Sequence, residues 1–517
     1  MIEYDAVIIG SGINGLVAAA ELAREGWSVA VAERNDTLGG FIASEERTLP
    51  GYVHDTYSSW HPLFVSGPAY AALGDDLHRL GLEYRNTDGW VTASVADDGR
   101  TTYAHRDPER TAARFADGRD RDTYLAALNG FLEIAEPFGT LMASELKSVA
   151  ALRAGAKLAR RTRLLRDAVT SGRSFCRREF RGPEVDHLWT PWLLHAGLSP
   201  DHAGGGLMVP VLAATMHGFG LPVVAGGSAR LVDAFGKLFA ELGVEVHTGT
   251  EVEHILVEGK RAVGVIAGGR RLKAKTVLAS CTPTALVRDL LPPGAVDGRF
   301  TGEAERFRHG RGAMQIHVAL SGPPRWREDR LAEVPLIHLA DGSASTGIAC
   351  AQAEAGLLPA KPTVVVGRQD VLDPARVPAG AAALWLQLQE VPFAPAGDAA
   401  GELDTTGGWT PELARAFAQR VLDKVAAHCP GLTDLVRAID VVTPVDLAAH
   451  NVNAVHGDPY GGSAELDQNF LWRPTPAGAR HATPVPGLWH IGASTHPGPG
   501  LGGGSGHLVA QRLLRHR

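Results

Sequence analysis

A glycine-rich stretch and one carboxylate near the amino terminus have residue types and spacing that could bind phosphates and a ribose. Gly10, Gly12 and Gly15 follow the pattern G-x-G-x-x-G, and Glu33 comes 18 residues after the last of them. Such glycines allow a tight turn, close approach of the backbone to a pyrophosphate, and close packing of a helix on a strand. The Glu33 carboxylate could accept hydrogen bonds from both ribose hydroxyls, and it disfavours a 2′-phosphate. The residues predicted to contact a dinucleotide here are Gly10, Gly12, Ile13, Asn14, Gly15, Glu33 and Arg34.

The segments around these residues predict the elements that must position them. Residues 6–9 form a continuous apolar run, which is typical of a strand buried on both faces. Residues 16–25 predict a helix that Gly26 ends, and residues 28–32 predict a second strand. The amino terminus of that helix would direct free N–H groups and a positive dipole end at the phosphates. Because strand, glycine loop, helix, second strand and acid occur in this order, we predict a dinucleotide-binding βαβ unit rather than an ordinary glycine-rich turn.

A second motif follows this unit and indicates which dinucleotide, FAD or NAD, the unit binds. After Glu33 and a short spacer come Gly39 and Gly40. This continuation resembles the second FAD motif of the amine oxidase and phytoene desaturase superfamily. The resemblance implies FAD as the cofactor, with Gly39 and Gly40 close to the ribityl–phosphate portion of the flavin. Many members of the family carry an arginine after the two glycines, whereas this chain has Phe41.

The resemblance continues in the middle and at the end of the chain. Residues 222–227 match a P-x-x-x-G-G segment that returns the chain to the FAD domain, and Val252 matches a valine whose backbone contacts the adenine. Residues 487–498 contain the run G-A-S-T-H-P-G. This run resembles the carboxyl-terminal FAD motif of bacterial phytoene desaturases and FAD-type carotenoid ketolases, and of the branch named for pyridine nucleotide-disulfide oxidoreductase domain-containing protein 2. The further cofactor contacts that the resemblance implies are Val252, Gly492, Ala493, Gly500 and Leu501.

Residues 498–503 formally repeat the pattern G-x-G-x-x-G. Only 14 residues follow Gly503, whereas a βαβ unit needs about 30. We therefore predict a tight strand-to-helix turn here instead of a second nucleotide domain. The final helix, residues 505–514, would aim its amino terminus at the flavin pyrimidine ring, where a positive dipole end stabilises the anionic reduced flavin.

The order of motifs predicts a mixed α/β and α+β fold with two interwoven parts. A Rossmann-like FAD-binding domain is expected from residues 1–106, 222–291 and 440–517, and a helical subdomain from residues 107–221. Residues 292–439 contain β-like runs that predict the mixed or antiparallel sheet of a substrate domain. The apolar run 204–212 would line a substrate channel or belong to the ordinary core.

Composition and the remaining motifs argue against three kinds of function: nucleic-acid binding, metal binding and dithiol redox chemistry. The formal net charge of −7 gives no general attraction to nucleic acid, no histidine or carboxylate cluster suggests a metal, and the four cysteines form no closely spaced pair that could act as a redox dithiol. The family resemblance implies an FAD-dependent oxidoreductase that acts on a hydrophobic, isoprenoid-like small molecule through hydride transfer to flavin N5. The reaction would be desaturation of a C–C bond or another oxidation of the isoprenoid-like chain. A flavin amine oxidase and a non-catalytic FAD-containing interaction protein remain alternatives. Dioxygen, a quinone or another carrier would reoxidise the flavin.

His61 is the candidate catalytic base. It follows the Gly39-Gly40 turn in a stretch that, in this family, turns toward the isoalloxazine. A neutral imidazole there could accept a proton near pH 7. The alternative is a hydrogen-bonded residue in the wall of the site. His456 is a weaker candidate on a loop.

A basic stretch suggests one more partner. Residues 147–166 carry seven lysines and arginines and no acid, interleaved with valine and leucine. A basic amphipathic helix of this kind could lie on an anionic membrane surface, or its charges could form an ordinary solvated face. No signal peptide or membrane span is visible in the sequence, so we expect a cytoplasmic protein that has at most a peripheral membrane contact.

Overall fold

The glycine motif lies where the first strand of a parallel sheet meets the first helix. The computed structural model describes residues 3–515. Strand Glu3–Ile9 pairs in parallel with Val29–Ala32 on one side and with Arg270–Ser280 on the other. Helix Ile13–Arg24 connects the first two strands, which confirms the predicted βαβ unit. The helix begins earlier than predicted, so Ile13 and Asn14 lie in its first turn, at the end that would face a phosphate.

The strand Arg270–Ser280 is the longest of this first sheet and organises it. Its first half pairs with Arg261–Ala267, which forms an antiparallel hairpin with Val252–Glu258. Its second half pairs in parallel with Leu488–Ile491 near the carboxyl terminus. The other strands, in spatial order across the sheet, are Val252–Glu258, Arg261–Ala267, then, beyond Arg270–Ser280, Glu3–Ile9, Val29–Ala32 and Glu245–His247. Because Glu3–Ile9 and Val29–Ala32 run in parallel, Gly10 and Glu33 meet at the same edge of the sheet.

A second, mostly antiparallel sheet contains the predicted substrate-domain strands. In spatial order it consists of Val436–Val442, Gly312–Leu320, Ala382–Val391, Val364–Gly367, Leu336–Leu339, Trp90–Val95 and Thr101–His105. The core side of its central strands is apolar and fully buried, with Ile316 and Leu386 as examples. Short two-stranded pairings join Ser44–Glu45 to His54–Asp55, Tyr84–Arg85 to Val223–Val224, and Leu357–Leu358 to Gly397–Asp398.

Two of the predicted domain boundaries do not coincide with the sheets. Trp90–Val95 and Thr101–His105 were expected in the FAD-binding segment 1–106, but they belong to the second sheet. The reason is the parallel pairing of Trp90–Val95 with Leu336–Leu339, a long-range contact that no local pattern reveals. The boundary at residue 440 falls inside the strand Val436–Val442, which is also part of the second sheet.

Helices form the segment between the strands Thr101–His105 and Val223–Val224. From residue 108 to residue 219 they are Pro108–Ala112, Gly118–Leu132, Ala135–Met142, Val149–Ala159, Thr162–Val169, Gly172–Glu179, Glu184–Trp189, the 3-10 helix Pro191–Ala196, and Gly205–Phe219. The basic stretch was expected to form one helix. It forms two, Val149–Ala159 and Thr162–Val169, with Arg160 and Arg161 at the break.

The remaining helices surround the sheets and end the chain. They are Pro62–Val65, Pro68–Arg79, Ala229–Leu242, Pro283–Ala285, the π-helix Leu286–Leu290, Gly298–Glu305, the 3-10 helix Asp329–Glu333, Gly342–Glu354, Gln369–Leu372, the 3-10 helix Pro374–Arg376, Pro411–His428, Leu432–Leu435, Pro444–His450, the 3-10 helices Val455–Gly457, Leu466–Gln468 and Phe470–Trp472, and Gly504–Leu514. Within residues 3–515, none of the helices combines the length and the apolar character that a bilayer crossing requires.

Candidate active site

A single cavity of about 1550 Å³ extends from the glycine motif to the helical segment and the second sheet. A pocket for one small ligand usually measures about 300–1,000 Å³, so this cavity has room for a cofactor and a substrate together. Of the predicted cofactor contacts, those that line it are Gly10, Gly12, Ile13, Asn14, Glu33, Arg34, Gly39, Gly40, Val252, Gly492, Ala493, Gly500 and Leu501. Gly15 does not line it.

The glycine loop leaves space for phosphates on one side and none for side chains on the other. A Cβ on Gly12 would meet no atom within 4 Å, so the space beside it is open to the cavity. A Cβ on Gly15 would lie 2.1 Å from the carbonyl oxygen of Gly10. Gly15 therefore lets the helix pack on the loop, and Gly12 lets a ligand approach the backbone. This division of roles fits the pyrophosphate of a dinucleotide.

The Glu33 carboxylate is held in one position on the cavity wall. Its Oε2 accepts hydrogen bonds from the backbone N–H of Ser11 at 2.9 Å and from the Ser11 hydroxyl at 2.7 Å. Its Oε1 accepts from the N–H of Asn35 at 2.9 Å. The backbone carbonyl of Glu33 accepts from the N–H of Thr250, which brings Val252 to the same end of the cavity. Glu33 and Val252 are thus placed together, as a ribose and its adenine would require.

The carboxyl-terminal motif forms another wall of the cavity. The N–H of Gly492 donates to the Ser505 hydroxyl at 3.2 Å, and the Thr495 hydroxyl lies 2.7 Å from the same oxygen. These bonds tie the strand Leu488–Ile491 to the helix Gly504–Leu514. The helix therefore begins at the cavity, where Gly503 and Gly504 line the wall. The final helix begins one residue before its predicted start, but residues 492–503 form a loop of twelve residues between the strand and the helix, which is longer than the predicted tight turn.

The sequence pattern of one known family, described as flavin containing amine oxidoreductase, matches residues 13–514. The chain belongs to this family. Its members share the flavin. FAD is the cofactor of this flavin oxidoreductase, as the motifs predict.

Individual relatives agree with the family and confirm the resemblance seen in the motifs. Pyridine nucleotide-disulfide oxidoreductase domain-containing protein 2 of Rattus norvegicus is 25% identical over 99% of this chain and 94% of its own length. The 4,4′-diapolycopene oxygenase of a Methylomonas species is 25% identical over 98% of this chain and 97% of its own. Putrescine oxidase, solved with putrescine bound, superimposes with a TM-score of 0.62 at 18% identity over 99% of both chains, which shows a shared fold.

The part of the cavity beyond the flavin motifs is predominantly apolar. The helix Gly205–Phe219 lines it with large side chains of the run 204–212, which the sequence left as either channel or core. Aromatic residues from five other segments of the chain face the same space. The large apolar side chains that line this region are Trp60, Phe131, Phe138, Met142, Trp192, Leu207, Met208, Val211, Leu212 and Trp385.

His61 lies behind this wall and is not among the residues that line the cavity. It is fully buried, and its Nδ1 lies 3.0 Å from the Tyr84 hydroxyl. Burial lowers the pKa of His61 to about 4. This placement disagrees with the expectation of a base in contact with substrate, because the ring pairs with Tyr84 while its neighbours Trp60 and Pro62 face the cavity. It agrees with the alternative of a hydrogen-bonded residue supporting the wall.

Other histidines line the cavity, and the sequence did not single out most of them. His195 pairs with His338, Nε2 to Nε2, at 3.0 Å, and burial lowers the pKa of His195 to about 3. His450 donates from Nε2 to the carbonyl oxygen of Gly40 at 3.0 Å and stacks on Tyr57. The histidines on the wall are His195, His309, His450 and the weaker candidate His456. They come from separate elements, so only the tertiary structure brings them together.

Proposed function

We propose that this FAD-dependent oxidoreductase desaturates a C–C bond of a hydrophobic, isoprenoid-like small molecule. One observation carries the proposal: the cavity that holds the flavin motifs continues without interruption into a large apolar space. Bound FAD would supply the hydride acceptor, N5 of the flavin. The chain would contribute alignment of the substrate C–H bond and exclusion of water.

The apolar wall is suited to a substrate that has little polar surface. Leu207, Met208 and Val211 project from one helix into the cavity, and Phe131 and Phe138 face it from two others. Burial of apolar surface contributes about 25 cal/mol per Å², so an extended hydrocarbon gains affinity along its whole length. The relative whose name describes it as an oxygenase of diapolycopene, an isoprenoid polyene, supports this class of substrate.

Flavin amine oxidase activity is the second candidate, and the shared fold with putrescine oxidase favours it. In either case dioxygen, a quinone or another carrier is proposed to take the electrons. A non-catalytic role for the flavin is the remaining alternative. Substrate-dependent reduction of the flavin distinguishes all three.

A peripheral membrane contact completes the proposal. Val149, Leu152 and Val169 are exposed to 63%, 73% and 63% on the helices of the basic stretch. Some of the basic side chains form ion pairs with acidic residues of neighbouring segments. In one of them, Nη1 of Arg161 lies 2.9 Å from Oε2 of Glu133. The apolar side chains and the basic residues beside them would bind an anionic bilayer, which could deliver a lipid-like substrate to the adjacent cavity.

The test is anaerobic bleaching of the holoenzyme. Isoprenoid alkenes should bleach the flavin, and a panel of primary amines should not. The variant Val211→Arg places a charge in the apolar wall and should abolish bleaching while FAD stays bound. The matched control, Phe219→Arg, lies on the same helix at an exposed position and should behave as the wild type. Bleaching by amines alone would overturn desaturation, and no bleaching by any substrate would favour a non-catalytic flavin.

A further inference from the structure

The second sheet presents glutamine side chains to the apolar cavity. Strands Gly312–Leu320 and Ala382–Val391 are antiparallel, and Gln315 lies opposite Gln387 in their register. Gln389 is two residues further along, so it shares the face of Gln387. All three glutamines line the cavity.

The amide groups of these glutamines have unused hydrogen-bonding capacity. Within residues 3–515, the Oε1 atoms of Gln315 and Gln389 are buried and have no partner. Gln387 lies in the middle of the sheet, is half-buried, and forms no side-chain hydrogen bond with another described residue. Buried amides without partners are unfavourable by roughly 1–3 kcal/mol, so their presence on a wall that leucine could cover points to a ligand.

The orientation of Gln315 shows what kind of group the ligand must offer. Its Nε2 donates to the backbone carbonyl of Tyr57 at 3.1 Å, and a carbonyl can only accept. The amide therefore cannot be reversed, and Oε1 remains an acceptor in need of a donor. Gln389 donates from Nε2 to the Tyr460 hydroxyl at 2.7 Å, which leaves its Oε1 as an acceptor as well.

The electrostatics of this region indicate that the donor is uncharged. Asp458 lines the cavity, but its carboxylate accepts hydrogen bonds from the backbone N–H groups of Gly310 and Gly462 at 2.7 Å and of Tyr460 at 2.8 Å. Its charge is therefore already stabilised by the backbone. A cationic group beside Gln387 would lose its hydration without gaining a carboxylate partner.

We propose that the substrate carries a hydroxyl group on its apolar skeleton, and that this hydroxyl donates to the Oε1 of Gln315 or Gln389 and accepts from the amide of Gln387. A hydroxyl donates one hydrogen bond and accepts others, so it can donate to an Oε1 acceptor and accept from the amide of Gln387. The inference rests on the proposed function and narrows the class of substrate from hydrocarbons to alcohols. The glutamines are specificity-determining residues, and no step of the oxidation depends on them.

The test compares farnesol with farnesene, which has the same carbon skeleton without the hydroxyl. Binding of each to the oxidised holoenzyme is measured from the perturbation of the flavin absorption spectrum. Farnesol should bind roughly tenfold more tightly than farnesene, the effect of one or two hydrogen bonds. Gln387→Leu should remove this difference by weakening farnesol binding alone. Gln419→Leu, on the exposed face of the helix Pro411–His428, is the control and should preserve it.

Each outcome has a distinct meaning. FAD content and melting temperature show whether a variant folds, and Gln387→Asn, which keeps an amide, replaces Gln387→Leu if the latter does not fold. Equal binding of both ligands to the wild type would overturn the glutamine site while leaving desaturation intact. If only amines perturb and bleach the flavin, the proposed function fails, and the hydroxyl site fails with it.

Discussion

The side-chain oxygen of Asn14 accepts a hydrogen bond from the backbone N–H of Gly506 at 3.2 Å, joining the first helix of the chain to the helix Gly504–Leu514. The approach is close: a Cβ on Gly506 would lie 1.9 Å from the backbone oxygen of Asn14. Further along the same contact, Glu21 accepts from Gln511 at 2.9 Å and pairs with His507 at 2.6 Å. The amino termini of both helices are thereby fixed at one cavity.

Gly506→Ala should therefore destabilise the protein and reduce FAD retention, because the new methyl group collides with backbone that cannot rotate away. We expect a loss of about 1–3 kcal/mol in the free energy of unfolding. Gly155→Ala is the matched control, since a Cβ at Gly155 meets no atom within 4 Å in its helix. It should stabilise by about 0.4–1 kcal/mol. Urea denaturation of both variants measures the difference, and equal effects would show that the helix contact is not tight.

Gly12→Val should abolish FAD retention, because the side chain would fill the open space beside the glycine loop. The fold should survive, since no protein atom lies within 4 Å of that Cβ. Flavin content after gel filtration and the far-UV circular dichroism spectrum report the two effects. Gly236→Val, also in open space but on the helix Ala229–Leu242 and outside the lining of the cavity, should retain FAD. Full flavin content in Gly12→Val would contradict the assignment of the phosphate site.

NADPH should not reduce the flavin at catalytic speed. The second glycine pattern, residues 498–503, leads directly into the helix Gly504–Leu514, and no strand follows it among the described residues. A second βαβ unit for a nicotinamide cofactor is thus missing from this end of the described chain. Stopped-flow mixing with NADPH, NADH and a substrate that bleaches the flavin provides the comparison, and rapid reduction by either nicotinamide would refute the prediction.

Stability should fall as the pH drops from about 6.5 to about 4. Burial lowers the pKa of His61, His187 and His490 to about 4 in the folded chain. The unfolded chain, with histidine pKa values near 6.5, binds protons first, so acid favours unfolding in this window, and the stabilisation is complete above it. His61→Phe should weaken the pH dependence between pH 7 and pH 5 and leave flavin reduction within a few-fold of the wild type.

The control for this prediction is His254→Phe, at an exposed position, which should keep the full pH dependence. Urea denaturation at the two pH values measures stability, and anaerobic bleaching measures reduction. A loss of roughly 10²–10⁴-fold in the reduction rate of His61→Phe, with folding intact, would restore His61 as a general base despite its buried position.

The basic stretch should bind anionic vesicles weakly and in a salt-sensitive manner. Exposed charges are screened within ~8 Å at physiological ionic strength, so binding at low salt should decline as salt is added. Leu152→Asp should weaken cosedimentation with phosphatidylserine vesicles by removing apolar contact and adding repulsion. Ile348→Asp, exposed to 61% on a different helix, is the control. Cosedimentation that ignores lipid charge would favour a solvated basic face without lipid binding.

The cofactor end of the site could be predicted because its signals are local in the chain. Gly10, Gly12 and Glu33 belong to one βαβ unit, whose chemistry and spacing are visible together. The substrate end could not be predicted in this way. His195 and His450 reach the cavity from elements far apart in sequence, and the facing of Gln315 with Gln387 depends on a strand register that the sequence does not specify.

The strand Trp90–Val95 illustrates the same limit for the fold. Its partner, the strand Leu336–Leu339, lies beyond the whole helical segment in the chain. His61 illustrates the limit for the site, since its position in the chain is next to cavity residues while its ring turns toward Tyr84. The local sequence places His61 between residues that line the cavity, but the direction of its side chain keeps the ring out of the cavity.

The contact between Asn14 and Gly506 also sets an order of events during synthesis. The ribosome makes the glycine loop first and Gly506 almost five hundred residues later, as the numbering of the chain shows. Amino-terminal segments begin to fold while translation continues. The hydrogen bond that joins the amino termini of the two helices can therefore form only after the helix Gly504–Leu514 has been made.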